Sequence, residues 1–437
     1  MSLSIGIFSS DVNIFRAVRA LARVLALSLS FWMSLTAMPD AQQSEERGTD
    51  WERQLELLQS VPYVSLSRSQ VDTAQSGVVL IDSSRVYDGY NFYCTKSSGE
   101  ALLLDMNGEV VHRWTYPPKH GGGSDYAILL ENGDVVILKK LRELLRLNWN
   151  SEILWRKELM VHHDVVRSPG GSFYVLVQEL KEYRGLKVLF ESIVHLSAAG
   201  VKMDLWSAYD HLDELKGLLD SRSFLDTVLD SVQVTTGGEK EDGGRTAPRR
   251  SENRLYFDYF HTNTVSLLPD NALVERDSRF EEGNLLLCFR KVNQIVILEK
   301  DTYRILWAWG EGQLQWPHHP TMLPNGHILL FDNGVDRKYS RILEVEPLSG
   351  TVVWEYRADP PEDFYSFSRG SSQRLPNGNT LICESDNGRV FEVTPAGEMV
   401  WEWFNPTIQR GRREIVYRML RHPKEMVERL LNEDGSE

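Results

Sequence analysis

From Gly77 onward, the chain consists of short apolar runs separated by Gly, Asn and Pro turns, a pattern typical of β-strands. One phrase recurs: an apolar strand, a glycine or polar turn, and a second strand that ends in tryptophan. Its six copies, the clearest being the last two, end at Trp114, Trp155, Trp206, Trp307, Trp354 and Trp401. The repetition predicts a fold assembled from similar β units.

A second phrase, a tight turn followed by an apolar strand, alternates with the first. Its copies are Glu131-Asn132-Gly133, Pro169-Gly170-Gly171, Pro324-Asn325-Gly326 and Pro376-Asn377-Gly378, with a degraded version from Pro269 to Gly283. Four of the five intervals between the tryptophans are about 40 to 50 residues, the length of a four-stranded propeller blade. The pattern predicts an all-β fold, a six-bladed β-propeller over residues 77–406. A β-sandwich with chance tryptophan spacing is the alternative.

The long interval between Trp206 and Trp307 requires an insertion, which we place at about residues 207–256. Within it, the leucine spacing from Tyr209 to Leu229 predicts a helix. The following Thr235 to Asn253 is rich in charge and glycine and is predicted to be disordered in isolation. An insertion of this size at a propeller rim would be placed to cover the opening of one face.

The two ends of the chain carry their own patterns. Residues 407–437 are predicted to form a C-terminal segment with an amphipathic helix from Arg412 to Leu431, kinked at Pro423. Residues 39–76 are polar and mixed, and are predicted to be a linker and lead-in.

Residues 1–38 have the layout of a targeting segment. Three arginines, Arg16, Arg19 and Arg23, precede an uncharged apolar run from Val24 to Met38. A basic region before a short apolar run is typical of a secretory signal peptide, and the run is short for a membrane span of about 20 residues. A retained anchor through residues 12–38, with the arginines cytoplasmic, is the second interpretation. Both interpretations predict export of the remaining chain to the periplasm or another extracytoplasmic compartment. A cleaved signal would leave a soluble protein, and a retained segment would leave a membrane-anchored one.

Composition excludes several classes of protein. Of the 437 residues, 42% are hydrophobic and 25% charged, as in ordinary folded proteins. A formal charge of −14 argues against nucleic-acid binding, which needs a basic face. The three cysteines, Cys94, Cys288 and Cys383, lie far apart in apolar runs. They predict buried free thiols, not a disulfide framework or a cysteine-rich metal site.

Histidine is rare, at 11 residues, yet His318, His319 and His327 fall within one short stretch. A second pair, His162-His163, precedes a glycine turn in the same way as His318-His319 does. Aligning the two turns superposes His163 on His318. Two blades are therefore predicted to present an imidazole at the same radial position.

Two further candidates stand at strand ends. His261, in Phe260-His261-Thr262-Asn263, opens the first strand after the insertion, and Arg290 ends the apolar run from Leu285. Blades converge on a central channel, so these side chains are predicted to meet the other histidines. Imidazoles with a guanidinium suit an oxyanion, which arginine binds bidentately. The alternatives are histidines hydrogen-bonded in the core, and a zinc site with three histidines, which a neighbouring Arg290 disfavours.

From Gly77 to Trp403 the chain resembles the aryl-sulfate sulfotransferase family, six-bladed propellers that move sulfuryl groups without a nucleotide sulfate donor. The similar segments are Gly77 to Leu80, Tyr87 to Tyr90, His162 to Asp164, and His318 to Gly334 with its Phe-Asp-Asn-Gly ending. The chain has Pro317 where the family often has glutamine, and Tyr259 where it often has tryptophan.

The resemblance implies roles for individual residues. His318 would be the nucleophile that becomes sulfated, His261 would contact the sulfate or the phenolic oxygen, and Arg290 would bind the sulfate. The remaining implied substrate-binding residues are His163, His319 and Asn263.

The resulting expectation is an exported enzyme that moves a sulfuryl group from a small aryl sulfate to a phenolic acceptor through a sulfohistidine. A neutral imidazole suits attack on an anionic ester, and the expected transition state is loose, with charge on oxygens that Arg290 would stabilise. Neither a metal nor another cofactor is expected, and no protein partner is identified. A non-catalytic propeller, tethered to a membrane and binding a ligand or a protein, is the main alternative; a metal-dependent hydrolase is a more distant one.

Overall fold

The computed structural model describes residues 65–67, 70–72, 74–116, 126–218 and 257–434. The predicted signal or anchor segment, most of the lead-in and most of the insertion lie outside these residues. In the described part of the chain, no helix is both long and apolar enough to cross a membrane.

The first half of the described chain is a succession of strands. They are β1 (Gly77–Ile81), β2 (Gly89–Cys94), β3 (Glu100–Leu104), β4 (Val110–Thr115), β5 (Tyr126–Leu129), β6 (Val135–Lys139), β7 (Glu143–Leu147), β8 (Ile153–Glu158), β9 (Val161–Arg167), β10 (Phe173–Tyr183), β11 (Leu186–Leu196) and β12 (Lys202–Ser207). Helix α1 (Leu212–Leu218) follows, and is the described part of the helix predicted from Tyr209 to Leu229.

The second half continues the same pattern. Its strands are β13 (Phe257–Asp258), β14 (Thr262–Leu267), β15 (Leu285–Phe289), β16 (Gln294–Leu298), β17 (Ile305–Trp309), β18 (His318–Met322), β19 (Ile328–Asp332), β20 (Arg341–Glu346), β21 (Thr351–Tyr356), β22 (Ser371–Arg374), β23 (Thr380–Glu384), β24 (Arg389–Val393), β25 (Met399–Phe404), β26 (Ile408–Gln409), β27 (Arg412–Arg413) and β28 (Met419–Pro423). Helix α2 (Lys424–Asp434) ends the described chain.

The strands form the six predicted blades, each an antiparallel sheet of four strands. The blades are β28-β2-β3-β4, β5 to β8, β9 to β12, β14 to β17, β18 to β21, and β22 to β25, with β1 added to the outer edge of the last. The first strands of successive blades contact one another from β5 through β9, β14, β18 and β22 to β28, so they line the central axis. The fold is therefore the expected six-bladed β-propeller.

The repeated phrases correspond to fixed positions in the blades. Each of the six tryptophans lies on the outermost of the four strands of its blade, and each tight turn joins the first strand to the second. Gly326 shows why such a turn needs glycine: its φ is +86°, and a Cβ there would lie 2.5 Å from Cγ of Leu273. The three cysteines are free and buried, as predicted.

The predicted helix from Arg412 to Leu431 is wrong over its first half. Residues 419–423 form β28, which pairs with β2 (Phe92 opposite Leu420) and supplies the innermost strand of the first blade. The propeller therefore extends past residue 406. Arg421 is buried in an ion pair with Glu392, and this strand closes the ring between the two ends of the chain. The helix begins only after Pro423, a residue suited to the edge of a helix rather than its interior.

The third blade contains a feature that the sequence pattern did not predict. Its β10-β11 hairpin is eleven residues long on each side, longer than the other blade strands. Where the chain returns from the insertion, β13 pairs in parallel with β11, placing Phe257 opposite Val188 and Asp258 opposite Leu189. This pairing anchors the segment that leads into His261.

Candidate functional site

His318 is the first residue of the innermost strand β18 and is only 3% exposed. Its Nδ1 lies 3.0 Å from the carbonyl oxygen of Trp316 and 2.7 Å from Oδ1 of Asn333. The Asn333 amide nitrogen donates to the carbonyls of Ser366 (2.6 Å) and Arg369 (2.7 Å), so its oxygen must face the imidazole. With two acceptors at Nδ1, that atom carries the proton and Nε2 keeps its lone pair.

The protonation state of His318 follows from its surroundings. Burial and the nearby Arg290 charge lower the pKa of His318 well below its usual range, although the hydrogen bond to Asn333 opposes this shift. The imidazole is therefore neutral near neutral pH. Arg290 is close to His318 in the structure, because its guanidinium stacks on Trp316, whose carbonyl oxygen contacts His318.

His261 immediately precedes β14 and has a left-handed φ of +51°. Its Nδ1 contacts Asp258, whose other oxygen accepts the His261 backbone N–H at 3.2 Å. Burial and Arg290 lower the pKa of His261 to about 3. The ring is neutral, with its proton on Nδ1, so Nε2 is an acceptor, and Arg290 Nη1 donates to it at 2.7 Å.

His163, on β9, completes this chain of hydrogen bonds. Its Nε2 lies 3.0 Å from Nε2 of His261, and its Nδ1 lies 3.1 Å from the hydroxyl of Tyr417. Because Nε2 of His261 carries no proton, His163 donates to it and in turn accepts from Tyr417. Burial and the neighbouring His162 lower the pKa of His163 well below its usual range, consistent with a neutral ring.

Arg290 follows β15 and begins a 3₁₀ turn, Arg290–Val292. Its guanidinium lies 3.9 Å from the centroid of the Trp316 ring, a cation–π distance, while Nη1 points at His261. The Trp316 ring in turn contacts Phe367 edge-on at 5.3 Å. Arg290 is thus held as a donor between the histidines and an aromatic cluster.

A buried carboxyl pair supports His261 from behind. Burial and the Asp258 charge raise the pKa of Glu191 well above its usual range, so Glu191 carries a proton. Burial also acts to raise the pKa of Asp258, but His261 and Lys291 hold it well below its usual range. Asp258 is therefore the ionised partner that orients the Nδ1–H of His261.

The other predicted substrate-binding residues have different contacts. Asn263 donates to the carbonyl of Pro317 at 2.8 Å, so it holds the backbone just before His318. His319 Nδ1 lies 3.0 Å from the carbonyl of Ser372, and its side chain lines a cavity of about 350 Å³ that also borders Asp164 and Arg418. The structure thus places His261 in direct contact with both His163 and Arg290. His319 lies outside these contacts, in the wall of the cavity.

His327 does not join this cluster. It lies after the tight turn of its blade, where Nδ1 is 2.7 Å from Glu344. Residues important to the cluster that sequence reasoning missed are Asp258, Trp316, Asn333 and Tyr417. Two of these residues had a signal in the sequence. Asp258 lies three residues before His261, and Asn333 belongs to the Phe-Asp-Asn-Gly segment. Tyr417 could not be found, because its segment was predicted to be helical.

Among the described residues, no group of three or more His, Cys, Asp or Glu side chains has the arrangement of a metal site. The Nε2 lone pair of His261 already accepts from the Arg290 guanidinium. A divalent cation at that atom would have to displace a fixed positive charge.

The buried histidines predict a loss of stability in acid. Burial lowers the pKa of seven histidines, namely His162, His163, His195, His261, His318, His319 and His422. Below about pH 6.5 the unfolded chain binds protons that the folded chain does not, so each histidine costs up to about 1.4 kcal/mol per pH unit. Buried carboxyls with raised pKa values act oppositely but are fewer, namely Asp164, Glu191 and Glu384.

Thermal unfolding followed between about pH 7 and pH 5 should show this loss as a falling Tm. His422→Phe should flatten the dependence, because burial alone lowers the pKa of His422 to about 4. A Tm that is independent of pH in this range would contradict neutral burial of these histidines.

Several solved structures are similar to this chain at low identity. A protein of unknown function from Bacteroides caccae is 12% identical with a TM-score of 0.43, over 76% of this chain and 98% of that one. A streptogramin B lyase is 11% identical with a TM-score of 0.41, over 80% and 88%. A catalytically inactive virginiamycin B lyase from Staphylococcus aureus with quinupristin is 10% identical with a TM-score of 0.40, over 76% and 88%. Similarities at this level carry no functional argument.

A search of curated proteins finds no significant match. In contrast, the family profile described as Arylsulfotransferase (ASST) matches residues 127–406. The matched region is more than half of the chain and includes His163, His261, Arg290 and His318. The chain belongs to the arylsulfotransferase family.

Proposed function

We propose that this protein transfers a sulfuryl group from an aryl sulfate to a phenol, with Nε2 of His318 as the nucleophile. Membership of the arylsulfotransferase family supports a sulfotransferase-type activity on small aryl substrates in general. The observation that carries the specific proposal is the double acceptor at Nδ1 of His318. It leaves Nε2 as an unprotonated lone pair beside a fixed guanidinium.

In the first half-reaction, the Nε2 lone pair attacks sulfur. The N–S bond forms as the S–O(aryl) bond breaks, and the bonding electron pair leaves with the aryl oxygen as a phenolate. The proton on Nδ1 stays in place, shared with the carbonyl of Trp316 and Oδ1 of Asn333. The sulfated ring is then an imidazolium that carries a sulfonate, with no net charge added to the buried site.

In the second half-reaction, the oxygen of a phenol attacks the same sulfur. The new S–O bond forms as the N–S bond breaks, and the electron pair returns to Nε2 of His318. The phenol gives up its proton to the phenolate released earlier or to water, so the enzyme regains its starting state. This sequence is a ping-pong exchange.

Charge that develops on oxygen needs donors that are already in place. Arg290 Nη1 and Nε2–H of His163 both point at Nε2 of His261. An anionic oxygen that replaces Nε2 of His261 as their acceptor would receive a hydrogen bond from each group. Because the pKa of His261 is about 3, we assign stabilisation of the phenolate to these fixed donors rather than to proton transfer from His261.

The rate with an activated aryl sulfate should stay level as pH falls from about 8 to about 6. Burial and Arg290 lower the pKa of His318, so its neutral, nucleophilic form persists below the ordinary histidine range. The test is a pH–rate profile of kcat with a donor whose leaving group is a good one. A midpoint near the unperturbed value of about 6.5 would contradict the assigned environment.

The aryl ring of the substrate is expected to lie against the aromatic cluster of Trp316 and Phe367. Phe367 is half-buried and contacts the edge of Trp316, which stacks on Arg290. Phe367→Ala should raise KM for the aryl donor about five- to tenfold with little change in kcat, since an aromatic pair contributes about 1 kcal/mol. An unchanged KM would place the aryl ring elsewhere.

Steady-state kinetics test the proposed function itself. A chromogenic aryl sulfate and a phenol, varied together, should give parallel double-reciprocal lines, as a covalent intermediate requires. Phenolate release should depend on the phenol. Absence of release across a panel of aryl sulfates would favour a propeller that binds a ligand without transforming it.

We further propose that residues 1–38 direct export of the enzyme, either as a signal peptide that is removed or as a retained membrane anchor.

A further inference from the structure

Asn333 is a tightly constrained side chain in contact with His318. It follows β19, is fully buried, and uses its whole amide group. Its oxygen accepts from Nδ1 of His318, and its nitrogen donates to the carbonyls of Ser366 and Arg369. Turning the amide over would place its oxygen against two carbonyls and its nitrogen against an N–H. Three hydrogen bonds would be lost, so only one orientation is populated.

We infer that Asn333 is a positioning residue that fixes His318 in the tautomer protonated on Nδ1. This inference rests on the proposed function, in which Nε2 of His318 attacks sulfur. A neutral imidazole carries its proton on either nitrogen, and the Nε2–H form has no lone pair at the attacking atom. The Trp316 carbonyl also favours the Nδ1–H form, but only Asn333 is itself locked by two further hydrogen bonds.

The hydrogen bond from Nδ1 of His318 to Oδ1 of Asn333 also matters during sulfuryl transfer. When Nε2 gains the sulfuryl group, positive charge develops on the ring and the Nδ1–H becomes a stronger donor. Asn333 Oδ1, already 2.7 Å away, accepts that stronger bond without movement. Asn333 therefore favours both the reactive tautomer and the sulfated intermediate.

Two variants separate this role from a structural one. Asn333→Asp keeps an oxygen acceptor for Nδ1 and loses the amide donors to Ser366 and Arg369. Asn333→Leu is of similar size and loses the acceptor and the donors together. If Asn333 only secures the segment that contains Ser366 and Arg369, the two variants should be equally impaired.

In the full-length chain, the rate of sulfuryl adduct formation from a chromogenic aryl sulfate should fall about tenfold to a hundredfold in Asn333→Leu, with the donor KM unchanged. Asn333→Asp should recover most of the rate. Its pH–rate profile should show an acid limb at higher pH than in the wild type, because a carboxylate raises the pKa of the imidazole. Equal losses in both variants, with profiles that overlay the wild type, would overturn the inference while the wild-type adduct still supported the proposed function.

A measurement on the unaltered protein covers the case in which a variant fails to fold. Nitrogen-15 NMR of histidine-labelled protein, with His318→Ala to assign the signals, should show Nδ1 of His318 protonated and Nε2 unprotonated near neutral pH. A proton on Nε2 would overturn the inference whether or not the protein transfers sulfuryl groups.

Discussion

Replacing His318 by alanine is expected to abolish sulfuryl transfer, with a fall in kcat of about 10⁴-fold or more. The variant lacks the lone pair that forms the N–S bond, and neighbouring His261 cannot substitute, because its Nε2 is occupied by the Arg290 guanidinium. Phenolate release from a chromogenic aryl sulfate in the presence of a phenol measures the effect.

The matched control is His327→Ala, in the same blade. His327 is paired with Glu344 after the tight turn and lies outside the histidine cluster, so its loss should leave kcat within about twofold of the wild type. Transfer that persists in His318→Ala at a similar rate would show that another group is the nucleophile.

The second large effect is expected at Arg290. Arg290→Lys keeps a positive charge but loses the planar donor that stacks on Trp316 and reaches His261. We expect kcat/KM for the aryl sulfate to fall about 10²- to 10³-fold, because the lost guanidinium donor would stabilise mainly the negative charge that develops on oxygen in the transition state.

Arg290→Ala should show an additional effect on pH dependence. Arg290 is a main cause of the lowered pKa of His318, so its removal should move the acid limb of the pH–rate profile upward. Arg279→Lys is the control, since Arg279 forms an exposed ion pair with Asp277. An Arg290→Lys variant as active as the wild type would remove the guanidinium from the proposed mechanism.

The propeller could be predicted because its signal is local and repeated. Each blade carries a tight turn between its first two strands and a tryptophan on its outermost strand, and both are visible within one repeat. The closing strand could not be predicted in this way. Met419 to Pro423 pairs with β2, which lies far away in the sequence, while the local periodicity of the same segment resembles a helix. Tertiary pairing overrides the local preference there.

The convergence of the candidate residues could be predicted, because the innermost strands of propeller blades meet around the central axis. This geometry explains why His163, His261 and Arg290 come into contact from three separate segments. The groups that set their protonation were not predictable, because a hydrogen-bond partner depends on side-chain direction. Asp258 reaches His261 only because β13 pairs with β11, and Asn333 faces His318 only because the carbonyls of Ser366 and Arg369 bind its amide nitrogen. The roles given to the six candidate residues all stay predictions, namely those of His318, His261, Arg290, His163, His319 and Asn263.

The most direct test of His318 as the sulfuryl acceptor is the intact mass of the protein after mixing with an aryl sulfate and no phenol. The proposed mechanism predicts an added mass of one sulfuryl group, located on His318 by peptide mapping and lost when a phenol is added. An unmodified protein that nevertheless transfers sulfuryl groups, or an adduct on another residue, would contradict it.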